Sequence, residues 1–139
     1  MTDTSKGNGR CLCKSVTLST KSMSQDISAC HCNMCRAWGG GPLMVVECGE
    51  DIIIDGAESV CSYSSSDWAE RAFCKHCGTH LYYHLIQQNQ YFIPVGLFDP
   101  QHAIPFTTEI FIDEKPDYYS FSNITKKLTG KEVFDSYTS

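Results

Sequence analysis

The run Cys30-His31-Cys32-Asn33-Met34-Cys35 constrains this chain more than any other stretch, because it sets three thiols within six positions. The last two frame a two-residue gap, which suits a tight turn on which both sulfurs face one metal ion. Cys11-Leu12-Cys13 lies upstream and Cys74-Lys75-His76-Cys77 downstream. How these seven thiols are shared decides both the fold and the chemistry open to it.

Nine cysteines in 139 residues leave two explanations, a disulfide framework or metal sites. The count is odd, and most of the cysteines fall in C-x-C and C-x-x-C groups. Residues 1–8 are polar and contain no apolar h-region, so nothing points to export and the chain reads as cytoplasmic. In that compartment thiols stay reduced, and this spacing points to metal. No stretch approaches the roughly 18 uninterrupted apolar residues of a membrane span. The net charge is −5, and the densest basic pair is Lys126-Lys127. Seven thiolates holding two divalent ions would make the balance more negative still. A nucleic-acid partner, which needs clustered positive charge, is disfavoured.

The length suits one domain over residues 9–139, preceded by a disordered leader over 1–8. Apolar alternation and β-branched runs predict strands over 16–19, 43–48, 52–54, 60–63, 80–85, 91–95 and 109–112. Pro94 suggests an edge position for its strand. Gly39-Gly40-Gly41-Pro42 reads as a flexible bend, either a plain turn or a place where a ligand approaches the backbone. A turn is expected over 97–100, and the polar tail over 123–133 could hold a short turn of helix. The expected fold is mainly β, built of folded antiparallel sheets.

Cys11 and Cys13 are two apart, so in extended chain both sulfurs leave one face. With Cys74 and Cys77 they make a complete four-thiolate set, which saturates zinc and is therefore structural. It would close a loop of about 60 residues. Cys30, Cys32 and Cys35 supply three ligands and leave one position open, the arrangement of a catalytic zinc. Its fourth ligand could be water, a substrate thiolate or an aldehyde oxygen. Cys48 and Cys61 lie on apolar strands with no metal spacing and read as buried free thiols. His31 lies between two ligands and is expected to point away from them. His76 is expected in a supporting or solvated position. His80 and His84 have the spacing of a helical zinc pair, but their Tyr-rich surroundings favour a strand. Arg36, Arg71 and Lys14 could pair with substrate carboxylates, and Trp38 or Trp68 could wall a pocket near Gly40.

Three motifs together resemble the glutathione-dependent formaldehyde-activating enzyme family, also called the centromere protein V domain family. They are Gly9-Arg10-Cys11-Leu12-Cys13, the run from Cys30 to Arg36 with Gly40-Gly41-Pro42, and Phe73-Cys74-Lys75-His76-Cys77-Gly78-Thr79-His80-Leu81. The later Glu109-Ile110-Phe111-Ile112-Asp113-Glu114-Lys115-Pro116 is similar to one of its subgroups. The resemblance implies a β-tent of folded-over sheets, shared with a small chaperone of Rab GTPases. It implies two zinc ions per chain, of which the second could be labile. Cys11, Cys13, Cys74 and Cys77 would form the structural site. Cys30, Cys32 and Cys35 would form the site where glutathione, the co-substrate, competes for zinc. Lys14 stands where the family usually has glycine. The activity implied is a carbon–sulfur lyase that interconverts S-hydroxymethylglutathione with glutathione and formaldehyde. Arg36, Trp38, Gly40 and Arg71 are the candidates for its thiol-substrate pocket. The competing reading is a zinc-stabilised binding or metal-handling module, favoured if a protein ligand closes the three-thiol site.

Overall fold

The computed structural model describes residues 4–98 and 104–138. They group into two compact units: residues up to Gln25 together with 45–98, and Asp26–Met44 together with those from Ile104 onward. The described residues form eleven strands and two α-helices, so the chain is mainly β. Among them, no helix is long and apolar enough to cross a membrane.

In the first unit, β1 (Thr4–Arg10), β2 (Thr17–Ser24) and β5 (Ile52–Asp55) make a three-stranded antiparallel sheet with β2 in the middle. The expected leader is thus corrected from Thr4 onward, while residues 1–3 lie outside the described residues. The strand escaped detection because it buries glycines instead of apolar side chains. A Cβ on Gly7 would lie 2.7 Å from Met23 Sδ, and one on Gly9 would lie 2.9 Å from Leu97 O. Leu18 and Thr20 point inward from β2, but so does Met23, an odd step further on. A bulge accounts for it, since Ser5 faces Met23 and Gly7 faces Thr20, two residues against three.

The same unit holds β4 (Leu43–Glu47) from Val45 onward, β6 (Val60–Ser64), β7 (Ala69–Cys74), β8 (His80–Leu85) and β9 (Gln90–Pro94). They pair antiparallel in the order β4, β9, β8, β7, β6. The edge position inferred from Pro94 is corrected, because β9 lies between β4 and β8. Pro94 is its last residue, so the missing N–H coincides with the end of the pairing. Val16, Leu18, Val46, Leu81 and Ile93 are buried at the centre. Of the turn expected over 97–100, Asp99 and Pro100 lie outside the described residues.

The second unit contains β3 (Ile27–Cys30), α1 (Asn33–Gly39), β10 (Phe106–Ile110), β11 (Lys126–Leu128) and α2 (Gly130–Thr138). β10 runs parallel to both β3 and β11, so the sheets are mixed and not uniformly antiparallel. Parallel neighbours need a long crossover, and residues 111–125 supply the one from β10 to β11. β10 starts and stops three and two residues ahead of the predicted strand. It ends because Phe111 takes a left-handed φ of 54°. The predicted bend after Cys35 starts later than expected, since α1 continues to Gly39 and is capped at Gly40. Asp113 Oδ1 accepts from Gly130 N at 2.9 Å, which satisfies the first turn of α2.

Gly56 offers a direct check on the packing of the first unit. Its φ is +86°, and a Cβ there would sit 2.0 Å from Ser15 O. Gly49 has a similar φ of +67°, but its nearest neighbour would be Ser22 Cβ at 3.4 Å. Gly49→Ala should cost about 1 kcal/mol, the left-handed penalty alone. Gly56→Ala should cost more than about 3 kcal/mol, because backbone must also move. Urea unfolding of the two variants checks this; equal losses would show that the Gly56–Ser15 approach is loose.

Candidate metal centres

None of the nine cysteines forms a disulfide. Seven of them gather into two groups, which excludes a disulfide framework for those thiols. The first group is Cys11, Cys13, Cys74 and Cys77, whose four sulfurs all lie within 4.8 Å of one another. Cys13 Sγ is 3.7 Å from Cys11 Sγ and 3.7 Å from Cys74 Sγ. A disulfide would need about 2.05 Å. A tetrahedral zinc with Zn–S bonds of about 2.3 Å has sulfur–sulfur edges of about 3.8 Å. The donor set therefore fits zinc.

Two turns build this group. Cys11 and Cys13 lie on the turn after β1, not on the extended chain expected. Lys14 N donates to Cys11 O at 3.1 Å, and Val16 N lies 3.4 Å from Cys11 Sγ. Lys14 takes a left-handed φ of 69°, the conformation that glycine adopts most readily. Downstream, Gly78 N donates to Cys74 O at 2.8 Å and Cys74 N to Thr79 O at 2.9 Å. Thr79 Oγ1 joins the two turns, accepting from Leu12 N and lying 3.1 Å from Cys77 Sγ. The Thr79 hydroxyl and N–H pull Cys77 down to about 5. Cys74 is fully buried, and burial, which disfavours its charged form, pushes it up to about 11. One set thus holds a thiol that ionises readily beside one that resists it, and a bound dication would favour the thiolate form of all four.

The second group is Cys30, Cys32 and Cys35, again with all sulfurs within 4.8 Å of one another. Cys30 ends β3, Cys32 is the N-cap of α1, and Cys35 lies in its first turn. Cys35 N donates to Cys32 Sγ at 3.3 Å, so the cap itself points one ligand at another. All three are buried, and Leu43, Ile110 and Phe111 pack against them. The neighbouring Cys32 and Cys35 thiols, and then burial, push Cys30 far up. Crowded, dry thiols of this kind ionise only beside a cation, so this group also fits a metal. Among the described residues no histidine, carboxylate or fourth thiol joins the three within that distance.

Cys48 is the contrast. It is buried, raised to about 12 by burial, and belongs to neither group, so it is an ordinary core cysteine. Cys61 on β6 is only partly buried.

His31 turns away from the sulfurs. Its Nε2 lies 2.8 Å from Glu109 Oε1 and its Nδ1 2.7 Å from Tyr119 Oη. Thr125 Oγ1 donates to the other Glu109 oxygen, Oε2. Burial raises the Glu109 pKa, but the hydrogen bonds from Thr125 and His31 outweigh it and hold it below the ordinary carboxylate range. Sequence reasoning missed Glu109, Tyr119 and Thr125. The signal was a lone carboxylate between Thr108 and Ile110 on an inward-facing strand.

The other sequence candidates are dispersed. His76 is exposed, His80 is half-buried on β8, and neither joins a ligand group. His84 stacks on Tyr91 and lies 3.2 Å from Glu70 Oε1. Arg36 Nε donates to His31 O at 3.0 Å, and Gly40 N to Arg36 O at 2.7 Å. Trp38 is half-buried on the same helix. Arg71 belongs to the first unit, where it is buried on β7, donates to Ser65 Oγ at 3.1 Å and lies over the Tyr83 ring. Trp68 is 43% exposed.

Comparison with known proteins bears on the family and the fold. A protein named an uncharacterized lyase from Schizosaccharomyces pombe is 41% identical over 129 residues, covering 92% of this chain and 94% of its own. A crystal structure of a Rhodobacter sphaeroides protein superposes with a TM-score of 0.59 at 22% identity, covering 72% of this chain and 99% of that one. At that identity the likeness speaks to the fold alone. The profile of the glutathione-dependent formaldehyde-activating enzyme family matches residues 6–114. That span takes in both groups of thiols, and the chain belongs to the glutathione-dependent formaldehyde-activating enzyme family.

Proposed function

We propose that this chain is a zinc-dependent carbon–sulfur lyase acting on the adduct of a thiol with an aldehyde. S-hydroxymethylglutathione is the substrate that the family description suggests. The lyase name of the 41% identical relative supports the reaction class. The observation that carries the reading is the group of three buried sulfurs, with no fourth protein ligand among the described residues.

Cys11, Cys13, Cys74 and Cys77 would hold a structural zinc, saturated by four thiolates. Cys30, Cys32 and Cys35 would hold the second. Zinc bound by three thiolates supplies Lewis acidity and favours the ionised form of a thiol at neutral pH. Leu43, Ile110 and Phe111 keep the cluster dry, which strengthens every charge interaction beside it. Arg36 has spent its Nε on His31 O, so its terminal nitrogens are the donors suited to a substrate carboxylate. Beyond the end of α1, a Cβ on Gly40 or Gly41 would meet nothing within 4 Å, which leaves room for a bulky thiol. The reaction needs little else from the chain. As the carbon–sulfur bond breaks, its electron pair goes to sulfur. The hydroxyl gives up its proton, and its O–H pair becomes the second carbon–oxygen bond. A cytoplasmic location, where thiols stay reduced, suits such a substrate.

Metal content and activity test this together. Wild type should carry two zinc ions per chain, and Cys32→Ser should carry one and stay folded. Cleavage of S-hydroxymethylglutathione, measured over the spontaneous rate, should fall at least about 100-fold in Cys32→Ser. A variant as active as wild type would sink the lyase reading, and a single zinc in wild type would leave a binding or metal-handling module. Cys74→Ser should instead act on stability. Losing the four-thiolate site should lower the melting temperature by more than about 10 °C in a calorimetric scan. An unchanged melting temperature would show that this site holds nothing together.

A further inference from the structure

We propose that His31 is a positioning residue: the hydrogen-bonded chain Thr125–Glu109–His31–Tyr119, buried at Glu109 and His31, fixes the backbone between Cys30 and Cys32 and so sets three thiols for one metal ion. This inference rests on the reading of the three-thiol group as a metal site.

Stability alone does not explain the network. His31 is fully buried and Glu109 is 1% exposed. Burying an imidazole and a carboxylate is costly, and well-packed apolar residues in their place are often as stable or more so. What the network gives in return is a fixed geometry. All four polar groups of His31 are engaged. Its N–H donates to Ile110 O at 3.1 Å, and its C=O accepts from Arg36 Nε at 3.0 Å. Nε2 meets Glu109 at 2.8 Å and Nδ1 meets Tyr119 at 2.7 Å. The ring also lies against the rings of Tyr119 and Phe121, with centroids 5.4 and 5.9 Å away.

The position of this residue in the chain gives those bonds their consequence. The pairing of β3 with β10 ends at Cys30, opposite Ile110. The His31 N–H, on Ile110 O, makes the last bond of that ladder, and Cys32 lies beyond it. Cys32 keeps an extended conformation there, with φ −65° and ψ 157°. In extended chain, successive side chains leave opposite faces. A ring pinned on one face thus holds Cys30 and Cys32 on the other. Cys35 follows, because its N–H is tied to Cys32 Sγ at the start of α1. Swinging the backbone of either cysteine aside would strain the hydrogen bonds that hold His31 between them.

Two small changes at opposite ends of the network test it. Tyr119→Phe removes the hydroxyl at Nδ1, and Glu109→Gln removes the charge at Nε2. Lys131→Met is the control: Lys131 is exposed on α2 and pairs with Asp135, outside the network. Each protein is loaded with cobalt(II), and affinity at each site is measured by chelator competition. The sulfur-to-cobalt and ligand-field bands report the geometry. Both network variants should weaken the three-thiol site by about 10-fold or more and move its ligand-field bands. The four-thiol site and Lys131→Met should match wild type. Wild-type affinity and unshifted bands in both network variants would overturn the inference and leave the metal reading intact. A wild type that binds a single cobalt would overturn both together. Should Glu109→Gln fail to fold, Tyr119→Phe, which deletes one hydroxyl from a half-buried residue, decides the matter alone.

Discussion

Mutual repulsion among crowded thiolates is the constraint on which this structure depends. Seven sulfurs sit in two groups, each within 4.8 Å of its fellows. Ionising them together is unfavourable without a cation, and with one it becomes a source of folding free energy. The first group ties the turn after β1 to the turn after β7, which no continuous strand connects. Its sulfur spacing of 3.7 Å matches the edge of a zinc tetrahedron and is far too long for a disulfide. The surrounding hydrogen bonds of Thr79, Gly78 and Val16 hold the two turns in a shape that fits a shared ion.

The two groups differ in ways that suit different tasks. The four-thiol group lies on turns, with Cys13 exposed and Cys77 partly so. An ion saturated by its four sulfurs would have nothing to offer a substrate. The three-thiol group lies where a strand passes directly into a helix, and all its sulfurs are buried. An apolar lining of Leu43, Ile110 and Phe111 keeps it dry. Strand, cap and helix deliver the ligands within one short run, Cys30 to Cys35. That economy explains why so brief a motif carries so much information.

Thiol chemistry was legible in the sequence, even between Cys13 and Cys74, 61 residues apart, and the other long-range partnerships were not. Cysteine spacing revealed both groups, because ligand geometry is imposed by a short turn or a pair of extended residues. Strands such as β4 and β8 were legible from their apolar and aromatic runs. β1 was invisible because Gly7 and Gly9 contribute space where a side chain would clash. The parallel pairing of β10 depends on a crossover and leaves no periodic trace. His31 and Glu109 are 78 residues apart in sequence, so nothing local could join them. The left-handed Lys14 shows a partial signal: its departure from glycine marked the position, and its φ of 69° supplies the physical reason.

Zinc K-edge absorption on the purified chain tests the central claim most directly, since it counts ligand atoms without reference to activity. Two zinc ions in one four-sulfur and one three-sulfur site should give an average shell of about 3.5 sulfurs at ~2.3 Å plus half a lighter atom. An average shell of four sulfurs from a single zinc per chain would contradict the account, because the three buried thiols would then be holding nothing.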